Sequence, residues 1–257
     1  MDLGLSGKSA LVCASTAGLG AATARALAGE GVNLVISGRR GRQARELAAT
    51  LPSAIGVEVD LTAPDGPAEL VAQATSAFGD IDILVLNGPG PVAARALDVT
   101  PDDVTAAIDA LVQPHVRLVR RLVPAMRQHG WGRIVAIGSS GIVEPLPSLA
   151  LSNLARAALA GYLKTLAAEV ATDGVTVNLL LPGRIATDRL AGLDEFVAEQ
   201  SGQSLAAVVA QSQREIPVGR YGRPEEFGQV AAFLCSEPAS YVTGTALRCD
   251  GGLIRSF

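Results

Sequence analysis

Short apolar runs rich in β-branched residues alternate along the chain with longer stretches whose apolar positions recur every three or four residues. The runs Ser9–Cys13, Val32–Ser37, Ile55–Val59, Ile83–Leu86, Arg133–Ile137 and Val175–Leu180 predict strands, and a last short strand is expected near Ala246–Arg248. Helices are predicted over Gly18–Glu30, Arg40–Thr50, Gly66–Phe78, about Asp102–His129 and about Leu149–Thr172. The predicted strands are unbroken apolar runs, which fits burial on both faces. Repeated strand–helix units imply a parallel sheet with right-handed crossovers and helices on both sides. The segment Asp188–Pro217 interrupts the alternation. It reads as a helical insertion, a substrate lid over the carboxyl edge of the sheet, where such folds bind ligands. No linker, repeat or low-complexity tract divides the chain, so one domain spanning residues 1–257 is expected.

Composition narrows the partners. A chain of 257 residues buries enough surface to need no covalent staple. Lys+Arg 21 against Asp+Glu 25 leaves a net charge of -4, which argues against nonspecific nucleic-acid binding. Cys13, Cys235 and Cys249 form no CxxC or Cys/His cluster, so neither a disulfide framework nor a metal site is expected. No basic segment followed by an apolar stretch opens the sequence, and no run approaches the roughly 18 apolar residues of a membrane span. The expectation is a cytoplasmic globular protein with a small-molecule substrate, no membrane partner and no nucleic-acid partner.

Four turns at the carboxyl ends of adjacent predicted strands carry candidate binding chemistry. The first strand runs into Ala14-Ser15-Thr16-Ala17-Gly18-Leu19-Gly20 and then a helix. Glycines there let the backbone approach a pyrophosphate, and the helix start offers unpaired N–H groups. Ser15, Gly18, Leu19 and Gly20 are the candidates; a plain tight turn is the alternative. The second strand ends Ser37-Gly38-Arg39-Arg40. An acid there would bind the ribose hydroxyls of NAD, whereas a basic residue can pair with a 2′-phosphate, so Arg39 and Arg40 favour NADP(H) over NAD(H); two solvated arginines starting a helix are the alternative. Asp60 and Leu61 follow the third strand, where they can meet the adenine; for these and for the next pair an ordinary turn is the alternative. Asn87 and Gly88 follow the fourth and would line the cofactor's other side.

Together these residues resemble the short-chain dehydrogenase/reductase family, in particular its 3-oxoacyl-acyl-carrier-protein reductase group. The resemblance runs over nearly the whole chain. It includes Asp82-Ile83-Leu84-Val85, Trp131-Gly132-Arg133-Ile134-Val135, Gly174-Val175-Thr176-Val177-Asn178, Pro182-Gly183, Tyr241-Val242-Thr243-Gly244 and Asp250-Gly251-Gly252. It implies a single Rossmann-like, doubly wound parallel sheet of about seven strands in a homotetramer or homodimer packed through its long helices. It also implies cofactor contacts from Pro182, Gly183 and the backbone of Ile185. Cys13-Ala14 stands where the family has Thr-Gly, and Leu86-Asn87-Gly88-Pro89 where it has Asn-Asn-Ala-Gly.

The catalytic positions depart further. The family pattern is Asn, Ser, Tyr and Lys, with Tyr thirteen residues after Ser and Lys four later. Ser139 matches the Ser, but Ser152 and Arg156 stand at the Tyr and Lys positions. Gly161, Lys164, Leu166, Glu169 and Val170 match in place and fix the register. Counting back from Met126 puts Leu111 at the Asn position. A serine hydroxyl is a far weaker acid than a tyrosine tuned by a nearby lysine, and arginine stays protonated. Arg156 still offers a fixed fork of donors to a carboxylate, a phosphate or a developing oxyanion.

Other side chains could carry the proton. His115 lies four residues past Leu111 on the same predicted helical face and titrates near neutrality, although Pro114 kinks that helix. Tyr162 lies nearly three turns past Ser152, too distant to serve. Tyr221 and Tyr241 match nothing catalytic. His129 reads as a helix-end cap, Glu144 as a loop charge, and Arg184 as a candidate holder of an anionic substrate. The expected function is an NADP(H)-dependent oxidoreductase with a non-standard site built from Ser139, Ser152, Arg156 and His115. The alternatives are a non-redox enzyme (dehydratase, isomerase or cyclase) or a silent dinucleotide-binding protein on the same scaffold.

Overall fold

The computed structural model describes residues 2–256. Its strands are β1 (Ser9–Val12), β2 (Asn33–Gly38), β3 (Ala54–Glu58), β4 (Ile83–Leu86), β5 (Gly132–Ile137), β6 (Val175–Pro182) and β7 (Ala246–Cys249). The helices are α1 (Gly18–Gly29), α2 (Gly41–Ala49), α3 (Gly66–Phe78), α4 (Pro101–Leu111), α5 (Gln113–Gln128), α6 (Ala150–Val170), α7 (Asp188–Ser201), α8 (Leu205–Glu215) and α9 (Pro224–Leu234).

All seven strands join one parallel sheet in the order β3-β2-β1-β4-β5-β6-β7. Every residue of β1, β4 and β5 is buried, which is what their unbroken apolar character requires. Val12 of β1 pairs with Ile36 on one side and Val85 on the other. The chain lays down β1, β2 and β3 outward in one direction, then returns past β1 to lay down β4 to β7 in the other. This reversal opens a crevice at the carboxyl ends of β1 and β4.

Each sheet face carries its own core. On one side Leu27 of α1, Leu47 of α2 and Phe227 of α9 cover Ala10, Leu34 and Ile36. On the other, Leu70 of α3, Leu118 of α5 and Leu163 of α6 cover Leu11, Val35 and Leu84. No helix of the described residues is long and apolar enough to cross a membrane.

The structure corrects one predicted element and adds another. The helix expected over Asp102–His129 is two helices, broken at Val112 (φ -111°, ψ -58°). Pro114 has no N–H to give the carbonyl of Ala110, and its ring cannot follow an unbroken helix. It sits instead in the first turn of α5, where proline fits. Helix α9 is absent from the predicted elements, although Pro224 at its start and Glu225 and Glu226 in its first turn are ordinary start signals. The insertion after β6 consists of α7 and α8, with Gly202 in a left-handed conformation (φ +67°) ending α7.

Phe227 is fully buried between α9 and the sheet, so Phe227→Ala leaves a cavity. Its expected cost is about 3–5 kcal/mol, read as a lowered urea midpoint with the slope unchanged. A loss below about 1 kcal/mol would show that α9 does not anchor this face.

Candidate active site

A cleft of about 600 Å³ runs along the carboxyl edge of the sheet. Its walls are the turns after β1 to β6, together with the first half of α6 and the start of α7.

The turn after β1 is shaped by backbone constraint. Ala14 adopts φ +44°, a left-handed conformation that costs a residue with a Cβ about 1 kcal/mol. Asn87 braces it, its side-chain amide donating to the Ala14 carbonyl at 3.1 Å. A Cβ on Gly20 would lie 2.7 Å from that same oxygen, so the close approach requires glycine. Helix α1 begins at Gly18 with no side-chain cap and no acidic residue in its first turn. Its amides and positive dipole end therefore remain available at the cleft, an arrangement suited to a pyrophosphate.

Of the four residues expected in this turn, Gly18 and Leu19 line the cleft. Ser15 and Gly20 do not line it. Ser15 is fully buried, its hydroxyl donating to the Val12 carbonyl (2.7 Å) and accepting from the Ser37 amide (2.9 Å). Its amide is spent on the Ser37 carbonyl. Both residues shape the turn from behind.

Arg39, Arg40, Asp60 and Leu61 all line the far end of the cleft. Arg40 is fixed over the turn by Thr16, to whose hydroxyl its Nε and Nη2 donate at 3.2 and 2.7 Å. Among the described residues no carboxylate forms an ion pair with Arg39 or Arg40. Asp60 accepts from the amide (3.0 Å) and hydroxyl (2.8 Å) of Thr62. Those bonds, with a contribution from Arg39, hold its carboxyl below the usual carboxylate range.

The other end gathers Asn87, Gly88, His115, Ser139, Ser152, Arg156, Pro182, Gly183 and Ile185 around the cleft. Leu149, Ser152 and Arg156, spaced three and four apart, put one face of α6 and its leading residue on the wall. Ser139 opens the turn after β5 and accepts from the Gly141 amide at 3.0 Å. Arg156 donates from Nε to the Ser152 hydroxyl (3.3 Å) and from Nη1 to the carbonyls of Ile137 (2.9 Å) and Gly138 (3.2 Å). Burial, then the like charge of Arg189, push Arg156 down to about 10, so it remains a cation at neutral pH.

The helix break positions His115. Its Nδ1 lies 2.7 Å from the Leu111 carbonyl, which an unbroken helix would have tied to the His115 amide. Its Nε2 lies 3.2 Å from the Asn87 carbonyl. A neutral imidazole has one N–H for these two acceptors. Burial lowers its pKa against the pull of both carbonyls, and Arg156 adds to the lowering. Leu111 itself points into a buried cluster with Ala107, Leu151 and Ala155.

The remaining candidates lie elsewhere. Tyr221 donates to buried Asp194 of α7 (2.8 Å), which also faces Arg184 at 3.5 Å. Arg184 thus anchors α7 and does not line the cleft. Tyr162 packs against the core and Tyr241 is fully exposed. Glu144 is exposed in the turn after Ser139, and His129 caps α5 beside Asp80 (3.5 Å). Among the described residues, no tyrosine and no lysine lines the cleft. Burial pushes the thiols of Cys13 and Cys235 up to about 12, which leaves them inert. Sequence reasoning missed Thr16 and Arg189. Only the carboxyl-edge position of the Thr16 turn and of the insertion pointed to them.

Residues 13–254 match the family profile described as Enoyl-(Acyl carrier protein) reductase. The chain belongs to the short-chain dehydrogenase/reductase family. It is 36% identical over 253 residues to Dehydrogenase/reductase SDR family member 4 of Bos taurus, covering 96% of this chain and 88% of that one. It is 32% identical over 251 residues to a 3-oxoacyl-acyl-carrier-protein reductase of Rickettsia felis, covering 97% and 98%. The crystal structure of L-sorbose reductase from Gluconobacter frateurii, complexed with NADPH and L-sorbose, matches it with a TM-score of 0.94. That pair shares 33% identity and the match covers 100% of both chains.

The buried imidazole sets a pH dependence. Its lowered pKa means that the unfolded chain binds the proton more readily than the folded one. Its contribution is therefore fully present above the unfolded value of about 6.5 and is lost as pH falls toward the folded value. His115→Gln is expected to be less stable than the parent by about 1–3 kcal/mol at pH 8, with the gap narrowing toward pH 5. Urea titrations of both proteins at several pH values check this; a gap independent of pH would contradict it.

Proposed function

We propose that the protein is an NADP(H)-dependent oxidoreductase that interconverts a carbonyl and a hydroxyl, or a related acceptor, with a non-standard catalytic site. The observation that carries this reading is Arg40, clamped by Thr16 beside the uncapped start of α1, with no carboxylate among the described residues paired to it or to Arg39. An oxidoreductase family and the similarity to a reductase crystallised with NADPH support it.

A bound reduced nicotinamide supplies the hydride. In this reading the α1 amides take the pyrophosphate, and Arg39 and Arg40 take the 2′-phosphate. Pro182, Gly183 and Ile185 border the nicotinamide end. The Ser139 and Ser152 hydroxyls hold the substrate oxygen, and Arg156 offsets the negative charge that grows there. With no tyrosine of the described residues on the wall, the proton that completes the hydroxyl comes from water or through His115. The same absence favours a second reading, in which the cleft binds dinucleotide but performs non-redox chemistry or none. NADPH consumption across ketone, quinone and imine panels separates the two: tight binding without turnover supports the second.

Replacing Arg39 and Arg40 together by alanine is expected to weaken NADPH binding about 10- to 100-fold and to leave NADH binding nearly unchanged. Calorimetric titrations with both nucleotides measure this, and equal weakening for both would contradict the assignment. If the absent acid couple alone limits ketone reduction, Ser152→Tyr combined with Arg156→Lys raises kcat/KM for simple ketones at least tenfold. No gain would show that the pocket excludes such substrates.

A further inference from the structure

The cleft carries two further cations, Arg156 and Arg189, and among the described residues no carboxylate pairs with either. Arg156 spends Nε on Ser152 and Nη1 on two carbonyls that also position it. Its Nη2 has no protein acceptor among the described residues, and the side chain lines the cleft. On the same cleft, the Arg189 guanidinium from α7 lies against Gly90, close enough that a Cβ there would sit 2.6 Å from its Cζ. Among the described residues neither arginine has a carboxylate within ion-pair distance. Both arginines line the same cleft, and the like charge of Arg189 bears on Arg156. Arg189 is exposed on α7 and Nη2 of Arg156 is left open to the cleft, so an anion that enters there can draw on both charges. In the oxidoreductase reading the phosphates of the dinucleotide go to α1 and to Arg39 and Arg40, which leaves this pair for another anion. Around the pair, Leu146 and Leu149 before α6 and Leu190 and Leu193 of α7 line the same cleft.

We propose that the substrate is an organic acid with an apolar tail. Its carboxylate is held by Nη2 of Arg156 and closed over by Arg189, and its tail lies against the four leucines. This rests on the oxidoreductase reading and adds the substrate class. Nη2 keeps its N–H donors for a carboxylate oxygen, and the Nε and Nη1 bonds hold the guanidinium in place without cost to the ligand. Arg189 belongs to α7, so its contact would couple closure of that helix to recognition of the anion.

The test is binding, so that it does not depend on turnover. The protein saturated with NADPH is titrated calorimetrically with 4-phenylbutyrate and with its neutral isostere 4-phenylbutyramide. The acid is expected to bind at least tenfold more tightly. Arg189→Ala, an exposed position that spares the core, is expected to reduce that preference at least threefold, and Arg156→Gln to abolish it. Equal binding of acid and amide by the unaltered protein, or binding of neither, overturns the proposal. So does inorganic phosphate that competes with the acid at lower concentration, which would make the site a phosphate site. A carboxylate preference that also appears without nucleotide, in a protein that never oxidises NADPH, upholds the anion site while refuting the oxidoreductase reading. NADPH oxidation by ketones in a protein indifferent to the carboxylate does the reverse.

Discussion

The reversal of strand order between β1 and β4 is the constraint on which the site depends. Because the chain leaves β1 in one direction and returns past it in the other, the turns after these strands diverge and cannot cover each other. Everything at the crevice follows from keeping those turns rigid. Asn87 ties the β4 turn to the Ala14 carbonyl, Gly20 permits that approach, and Ser15 locks the β1 turn to β2 from behind. Ala14 sits in a left-handed conformation inside this brace. The strain is tolerated because three strands hold the turn at once.

A second constraint comes from the broken helix. Pro114 frees backbone carbonyls at the α4–α5 junction, and the His115 ring bridges one of them to the β4 turn. A residue that looks like a free acid–base group in the sequence is thus also a structural clip. Its proton is contested by two carbonyls that favour the charged ring and by burial that opposes it. Positive charge elsewhere in the cleft is distributed in two sets. Arg39 and Arg40 stand at one end and Arg156 and Arg189 at the other, separated by the helix start and the glycine-rich turns. Such spacing suits a long ligand carrying phosphate at one end and a separate anionic ligand at the other.

Much of this was legible in the residues. The strands announced themselves as unbroken apolar runs, and α3 and β4 fall where the pattern places them. The residues lining the cleft were found largely through their position at strand ends, together with the family resemblance that placed Ser152 and Arg156. What was not legible depended on side-chain direction and on distant partners. Nothing local distinguishes the buried hydroxyl of Ser15 from one facing a ligand. Arg184 follows Pro182-Gly183 at the right place to meet a substrate, yet buried Asp194 from α7 draws it away. Arg189, five residues later, reaches the cleft because α7 folds back over it, a tertiary relation that periodicity does not encode. The helix break was signalled by Pro114, but that Leu111 would turn into the apolar cluster beside α6 required the packing of α4 against that helix.

The measurement that bears most directly on the account is a crystal structure of the protein grown with NADPH. The account predicts the 2′-phosphate against Arg39 and Arg40, the pyrophosphate at the Gly18–Leu19 start of α1, and the nicotinamide between Ile185 and the Ser139–Ser152 wall. Density for the nucleotide elsewhere, or a 2′-phosphate turned away from both arginines, would contradict it.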